Sequence, residues 1–208
     1  MIRQALLTVM TLGMLIPASW GTKRVALTFD DGPSGRFTQR LLEGLDQREV
    51  RATFFLCGYR MEDYGELATE IAEGGHEIGI HGYTHDPMGT MDAGTLAREI
   101  DQTQALLERY TGKTWQLLRP PGGVCSELVK RAAAERNLEL VLWTVDPRDW
   151  AVHDAQAVTE HVLQCVENGD IILLHDMSDS SVDAALMIVD ALLAQGFEFV
   201  TVSELRGK

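Results

Sequence analysis

A chain of 208 residues, 45% of them hydrophobic, is long enough to bury a full core within one domain. Its 31 Asp and Glu against 18 Lys and Arg leave a net charge of −13, which argues against a nucleic-acid partner, since that would want a basic face. Acidity by itself names no substrate.

The first 21 residues stand apart. Arg3 precedes an apolar run from Ala5 to Pro17, and small residues follow at Ser19 and Gly21. That run is shorter than the ~20 residues of a bilayer span and has the proportions of the middle of a secretory signal. Residues 1–21 are expected to be an export signal, cleaved or kept as a membrane anchor, with a packed N-terminal helix as the alternative. Residues 22–208 are expected to form the single folded domain.

From Arg24 onward, β-rich runs alternate with amphipathic stretches. The expected strands are Val25–Phe29, Ala52–Cys57, Glu77–Ile80, Gln116–Leu118, Leu140–Val145, Ile171–Leu174 and Phe197–Val202. Between them, segments such as "TQRLLEGLDQ", "TLAREIDQTQALLERY" and "SVDAALMIVDALLAQG" carry apolar residues at three- and four-residue steps, the helical spacing. Strand and helix alternating in this way predict an α/β domain with a parallel sheet, either wound open or closed to a barrel. Cys57, Cys125 and Cys165 are odd in number and far apart, and they lack CxxC spacing. They predict neither a disulfide framework nor a four-cysteine metal site and read as small buried hydrophobes.

In such a sheet, functional groups collect where strands run into loops. Asp30-Asp31 follow the first strand and His81/His85 the third. Arg119-Pro-Pro follows the fourth, Asp146/Asp149-Trp150 the fifth and His175-Asp176 the sixth. Taken singly, each has an ordinary reading: a turn for Asp-Asp-Gly, a pair of loop histidines, an ion-pair arginine, a capped loop with a core tryptophan. Together they place titratable groups at one end of the sheet five times. His81 and His85, four apart, plus one carboxylate would make a two-His, one-carboxylate set for zinc or another borderline divalent ion. His76, His153 and His161 carry no such context.

The motifs "TFDDG" (28–32), "HGYTH" (81–85), "RPPGG" (119–123), "DPRDW" (146–150) and "LLH" (173–175) stand in one order across the chain. In this the sequence resembles carbohydrate esterase family 4, the NodB-homology polysaccharide deacetylases, over nearly all of residues 24–205. The resemblance implies a distorted (β/α) barrel of about seven βα units and makes 22–208 a catalytic domain. It implies one divalent metal, Zn2+ foremost with Co2+ as an alternative, and hydrolysis of N-acetyl groups on amino-sugar polymers. Asp31, His81 and His85 would then hold the metal, and Asp30 would take a proton from the attacking water. His175, supported by Asp149, would protonate the departing amine, and Arg119 would pair with Asp30. The main-chain N–H at Gly122 would face the oxyanion, while Trp150 and Leu173 line the acetyl pocket.

Two departures from the family pattern stand out. Gly82 replaces the Ser or Thr that follows the first metal histidine, which predicts a looser metal loop. Gly122-Gly123 replaces the aromatic residue after the prolines, which opens one wall of the sugar groove and favours a crowded glycan. The expected substrate is peptidoglycan N-acetylglucosamine. The alternatives are chitooligosaccharides, small amides, or a catalytically silent sugar-binding domain. The expected chain is a monomer acting outside the cytoplasm on a polysaccharide partner.

Overall fold

The computed structural model describes residues 22–208, so the expected export signal lies outside the described residues. Seven parallel strands alternate with seven helices. They are β1 (Lys23–Gly32), α1 (Arg36–Asp46), β2 (Thr53–Leu56), α2 (Gly58–Glu73), β3 (Glu77–Ile80), α3 (Ala93–Thr111), β4 (Leu117–Leu118), α4 (Glu127–Ala134), β5 (Glu139–Leu140), α5 (Ala155–Cys165), β6 (Ile171–His175), α6 (Asp179–Ala194), β7 (Phe197–Phe199) and α7 (Val202–Leu205). The strand order is β5-β4-β3-β2-β1-β6, and β7 pairs with the first residues of β1. No helix among the described residues is long and apolar enough to cross a membrane.

The sheet curls until its two edges approach. Beyond β5 the chain reaches the free edge of β6, where Val145 bridges Ile172 in parallel and accepts from the Leu173 N–H at 2.9 Å. The expected strand 140–145 is therefore split. Glu139 and Leu140 pair with β4, residues 141–143 cross the barrel mouth, and Val145 pairs on the far side. The expected strand ending at Val202 is shorter as well. Thr201 caps α7 there, in a reciprocal box with Glu204.

Two-residue periodicity sorts the side chains into two layers. Val25, Leu27 and Phe29 of β1, Phe54 and Leu56 of β2, and Ile172 and Leu174 of β6 pack in the large core shared with the helices. Ala26, Phe55, Leu117, Val141, Ile171 and Val202 form a smaller cluster inside the curl. The interior is narrow at Gly79, where a Cβ would stand 2.5 Å from the Phe55 ring, so only glycine fits between these strands. Capping residues set the outer helices: Asp92 accepts from the N–H groups of Gly94 and Thr95, and α3 ends at Gly112 in the left-handed conformation.

Candidate metal centre and active site

Inward parity on β1 runs Ala26, Thr28, Asp30, and on β6 it runs Ile171, Leu173, His175. Asp30 and His175 are register partners at the C-terminal mouth. Strict alternation would turn the next residue, Asp31, towards the helices. Instead the β1–β2 register shifts between Asp30 and Gly32, and Asp31 takes φ +72°. A bulge of this kind re-aims a side chain, and a left-handed conformation at a non-glycine residue costs on the order of 1 kcal/mol. Two neighbouring carboxylates thereby share one site.

Asp31 meets both histidines of the 81–85 loop. Its Oδ1 lies 3.2 Å from His81 Nε2 and 3.0 Å from His85 Nε2. One ligand atom from each of the three residues falls within 4.8 Å of the others. His81 is buried at the end of β3, and its Nδ1–H donates to the Arg119 carbonyl at 2.7 Å, because a carbonyl can only accept. That bond fixes the tautomer and leaves Nε2 bare, as a metal ligand requires. Asp31 Oδ1 is buried without a hydrogen-bond partner. Burial pushes the Asp31 pKa up, and positive charge at the two imidazoles would hold it well below the usual carboxylate range; with Nε2 of His81 bare, that positive charge has to come from a cation in the same place.

Arg119 is wholly buried. Its guanidinium donates to Asp30 Oδ1 at 2.6 Å and to Thr28 Oγ1 at 2.8 Å, and stacks 4.0 Å from the centre of the Phe55 ring. Asp30 Oδ2 is left facing the triad, 3.7 Å from His81 Nε2. On the other side, His175 Nδ1 bonds Asp149 Oδ1 at 2.8 Å, and the His175 main-chain N–H donates to Asp149 Oδ2 at 2.9 Å. Burial alone would lower the His175 pKa. The bond to Asp149, with the nearby charges of Asp30 and Asp31, raises it to about 9. Its Nε2 points back into the site, 4.0 Å from Asp31 Oδ2.

These groups open into a cavity of about 380 Å3 lined by Asp30, Asp31, His81, His85, Gly122, Trp143, Asp146, Trp150, Leu173 and His175. Of the residues singled out in the sequence, Asp30, Asp31, His81, His85, Gly122, Asp146, Trp150, Leu173 and His175 line it and Arg119 and Asp149 stand behind, whereas Asp176 is turned away, fully buried against Ser34 and Thr38. A larger concavity of about 510 Å3, walled by Glu43, Asp46, Arg51 and His76, lies by the segments that lead into β2 and β3. It holds none of the strand-end groups. Cys57 and Cys125 are free thiols, and burial raises the pKa of each, so neither is an activated nucleophile.

The sequence reading missed Trp143 and Glu99. Trp143 stands on the segment crossing the mouth, with its ring over Gly123, whose Cβ would come 3.0 Å from the ring edge. The wall expected to be open at Gly122-Gly123 is thus partly refilled from the opposite side, while beyond Gly122 there is nothing within 4 Å of a Cβ. Glu99 accepts from the loop that carries His85, a brace that the expectation of a looser loop at Gly82 did not include. The signal for Glu99 was present in the sequence: it falls on the buried stripe of α3 with Leu96, Ile100, Thr103 and Leu107.

A three-residue oxygen–nitrogen set that could hold one metal ion stands at the mouth of a parallel (β/α) barrel, flanked by a paired carboxylate and a carboxylate-supported histidine, an arrangement suited to a hydrolase. The sequence model of the family described as Polysaccharide deacetylase matches residues 19–141. A peptidoglycan-N-acetylglucosamine deacetylase of Bacillus cereus is 37% identical over 188 residues, covering 88% of this chain and 88% of that one. The peptidoglycan-N-acetylmuramic acid deacetylase PdaC of Bacillus subtilis is 35% identical over 184 residues, and the match covers 88% of this chain but 38% of PdaC. The solved structure of PdaC superposes with a TM-score of 0.85 at 33% identity, over 89% of this chain and 90% of that one. A Bacillus anthracis protein described as a CE4 family pseudoenzyme, BA3943, superposes at 0.83 and 28% identity, over 88% of this chain and 65% of that one. The chain belongs to the polysaccharide deacetylase family.

Proposed function

We propose that the chain removes the N-acetyl group from N-acetylglucosamine of peptidoglycan, with one zinc ion held by Asp31, His81 and His85. The observation that carries this reading is Asp31 Oδ1, a buried oxygen without a donor, facing two imidazole nitrogens at 3.0 and 3.2 Å. His81 Nδ1–H is committed elsewhere, so its Nε2 offers only a lone pair. Lone pairs converging at this range repel unless a cation lies between them. One carboxylate and two imidazoles suit zinc, and Co2+ accepts the same donors. When bound, the ion supplies a Lewis acid that polarises the acetamide carbonyl and lowers the pKa of a water towards about 7.

The protein supplies the proton traffic. Asp30, aimed by the Arg119 guanidinium on its Oδ1, receives the proton of the attacking water on Oδ2. Gly122 lines the cavity, and its main-chain N–H would donate to the developing oxyanion. His175, held as imidazolium by Asp149, gives its proton to the departing amine. Trp150 and Leu173 enclose the acetyl methyl and crowd out larger acyl groups. The intact base, acid and ligand set argue against a silent binding domain.

Two features favour peptidoglycan over chitin. The curated relatives above are described by peptidoglycan, and the open space at Gly122 leaves room for the lactyl and peptide substituents of that glycan. Action on the cell wall goes with export through residues 1–21. Treated peptidoglycan, digested and examined by mass spectrometry beside chitin oligomers and acetylxylan, tests the substrate. Loss of acetyl from glucosamine in the peptidoglycan digest is expected. Deacetylation confined to muramic acid, to chitin or to xylan would overturn the assignment.

A further inference from the structure

The loop between the two histidine ligands has few bonds of its own. Residues 81–87 form neither helix nor strand, His85 sits at φ +70° and Gly82 at φ +87°. The main-chain acceptors of this loop are met by the start of α2, where the Gly58 and Tyr59 N–H groups donate to Gly82 and Tyr83, each at 2.9 Å. The donors converge on one side chain. Tyr83 N–H and Thr84 N–H reach Glu99 Oε2 at 2.7 and 2.9 Å, and the Thr84 hydroxyl reaches Oε1 at 3.0 Å. Thr84 Oγ1 in turn accepts from the Asp86 N–H at 3.2 Å. Glu99 is 7% exposed and makes no ion pair among the described residues, so its three donors from the loop are its compensation for burial.

We infer that Glu99 is a positioning residue for the metal centre: its carboxylate clamps the Tyr83–Thr84 turn and so sets the place of His85 Nε2 opposite Asp31. It does the bracing that a hydroxyl after the first histidine would do. A side chain at 82 would crowd it, since a Cβ there would lie 3.3 Å from Glu99 Oε2 and 2.9 Å from Met88 Cε. Glycine at 82 and glutamate at 99 therefore belong together. The half-exposed His85 is the ligand that depends on this clamp, because His81 is already fixed by the Arg119 carbonyl.

The inference rests on the metal part of the proposed function and is read without substrate, so an inactive but zinc-binding chain would fail that proposal and leave this one intact. Zinc affinity of the full chain is measured by competition with a chromogenic chelator for wild type, Glu99→Gln, Glu99→Asp and Glu99→Ala, with circular dichroism reporting the fold. Glu99→Asp keeps the charge but withdraws it from the turn, and Glu99→Ala removes it. Each is expected to weaken zinc by about 10-fold or more while the apo chain stays folded. Glu99→Gln keeps an oxygen for both N–H groups and is expected to stay within about 3-fold of wild type, and the visible spectrum of its Co2+ form should match. A role in folding alone would lower the apo melting temperature without moving affinity. Wild-type zinc affinity in folded Glu99→Asp would overturn the inference, whether or not Glu99→Ala folds.

Discussion

His81 donates its Nδ1–H to the main-chain carbonyl of Arg119 at 2.7 Å, and the guanidinium of the same arginine holds Asp30 at 2.6 Å. One buried residue thus orients the proposed metal ligand with its backbone and the proposed base with its side chain. Substitution separates the two jobs. Arg119→Lys keeps a carbonyl at 119 and a positive charge, but loses the planar fork that reaches Asp30, Thr28 and the Val141 carbonyl together. Zinc content is expected to stay at wild type while turnover falls by about 10²-fold. Atomic absorption and acetate release on one preparation check both.

Asp30→Asn tests the base directly. The amide retains the shape of the side chain but accepts no proton, so kcat should fall by about 10² to 10⁴-fold with metal content unchanged. A near-normal rate would remove Asp30 from that role. Leaving Arg119 buried opposite a neutral group should also lower the melting temperature.

With His175 as the proposed acid, its pairing with Asp149 should set the pH dependence. A raised histidine pKa means the imidazolium form is populated at neutral pH and lost as pH rises through about 9. Stability from this pair is fully present below the unfolded histidine pKa of about 6.5 and disappears over the same rise. A bound dication repels the imidazolium, so the alkaline limb of kcat/KM should fall at or below that value. Asp149→Asn removes the supporting charge and should move the limb to lower pH. An alkaline limb unchanged in this variant would mean that another group is the acid.

Trp143 lines the cleft and packs over Gly123. Gly123 has φ +72° and lies under the Trp143 ring. Gly123→Ala should cost about 1 kcal/mol or more in unfolding free energy. Trp143→Ala should raise KM for the glycan by about 3- to 10-fold, the scale of one lost aromatic contact. Denaturant unfolding and steady-state kinetics measure the two effects.

The strand ends made the site legible. Asp30 and His175 end their strands on the inward face, and the placing of β6 beside β1 makes them register partners. The adjacency of Asp30 and Asp31 was legible as an oddity but not as a geometry, since period two would have sent them to opposite faces. The positive φ at Asp31 and the register shift resolve it, and neither leaves a mark in residue type. Glu99 and Trp143 were hidden for a different reason. A glutamate on the buried stripe of a helix and a tryptophan in "VLWTV" fit ordinary packing until the partner loops are placed. The early end of β5 has the same origin: Leu140–Val145 is apolar enough for a continuous strand, but closing the curl moves Val145 to another edge.

Metal dependence is the centre of the account. The chain, stripped with chelator and desalted, is titrated with zinc while acetate release from peptidoglycan is followed. Activity is expected to be absent at the start, to rise linearly and to saturate at one equivalent. At ~100 times the zinc dissociation constant, unfolding free energy should rise by about 2.7 kcal/mol. His81→Ala should do neither. Undiminished acetate release from the stripped chain, or a zinc response intact in His81→Ala, would contradict the assignment of Asp31, His81 and His85 as the metal centre.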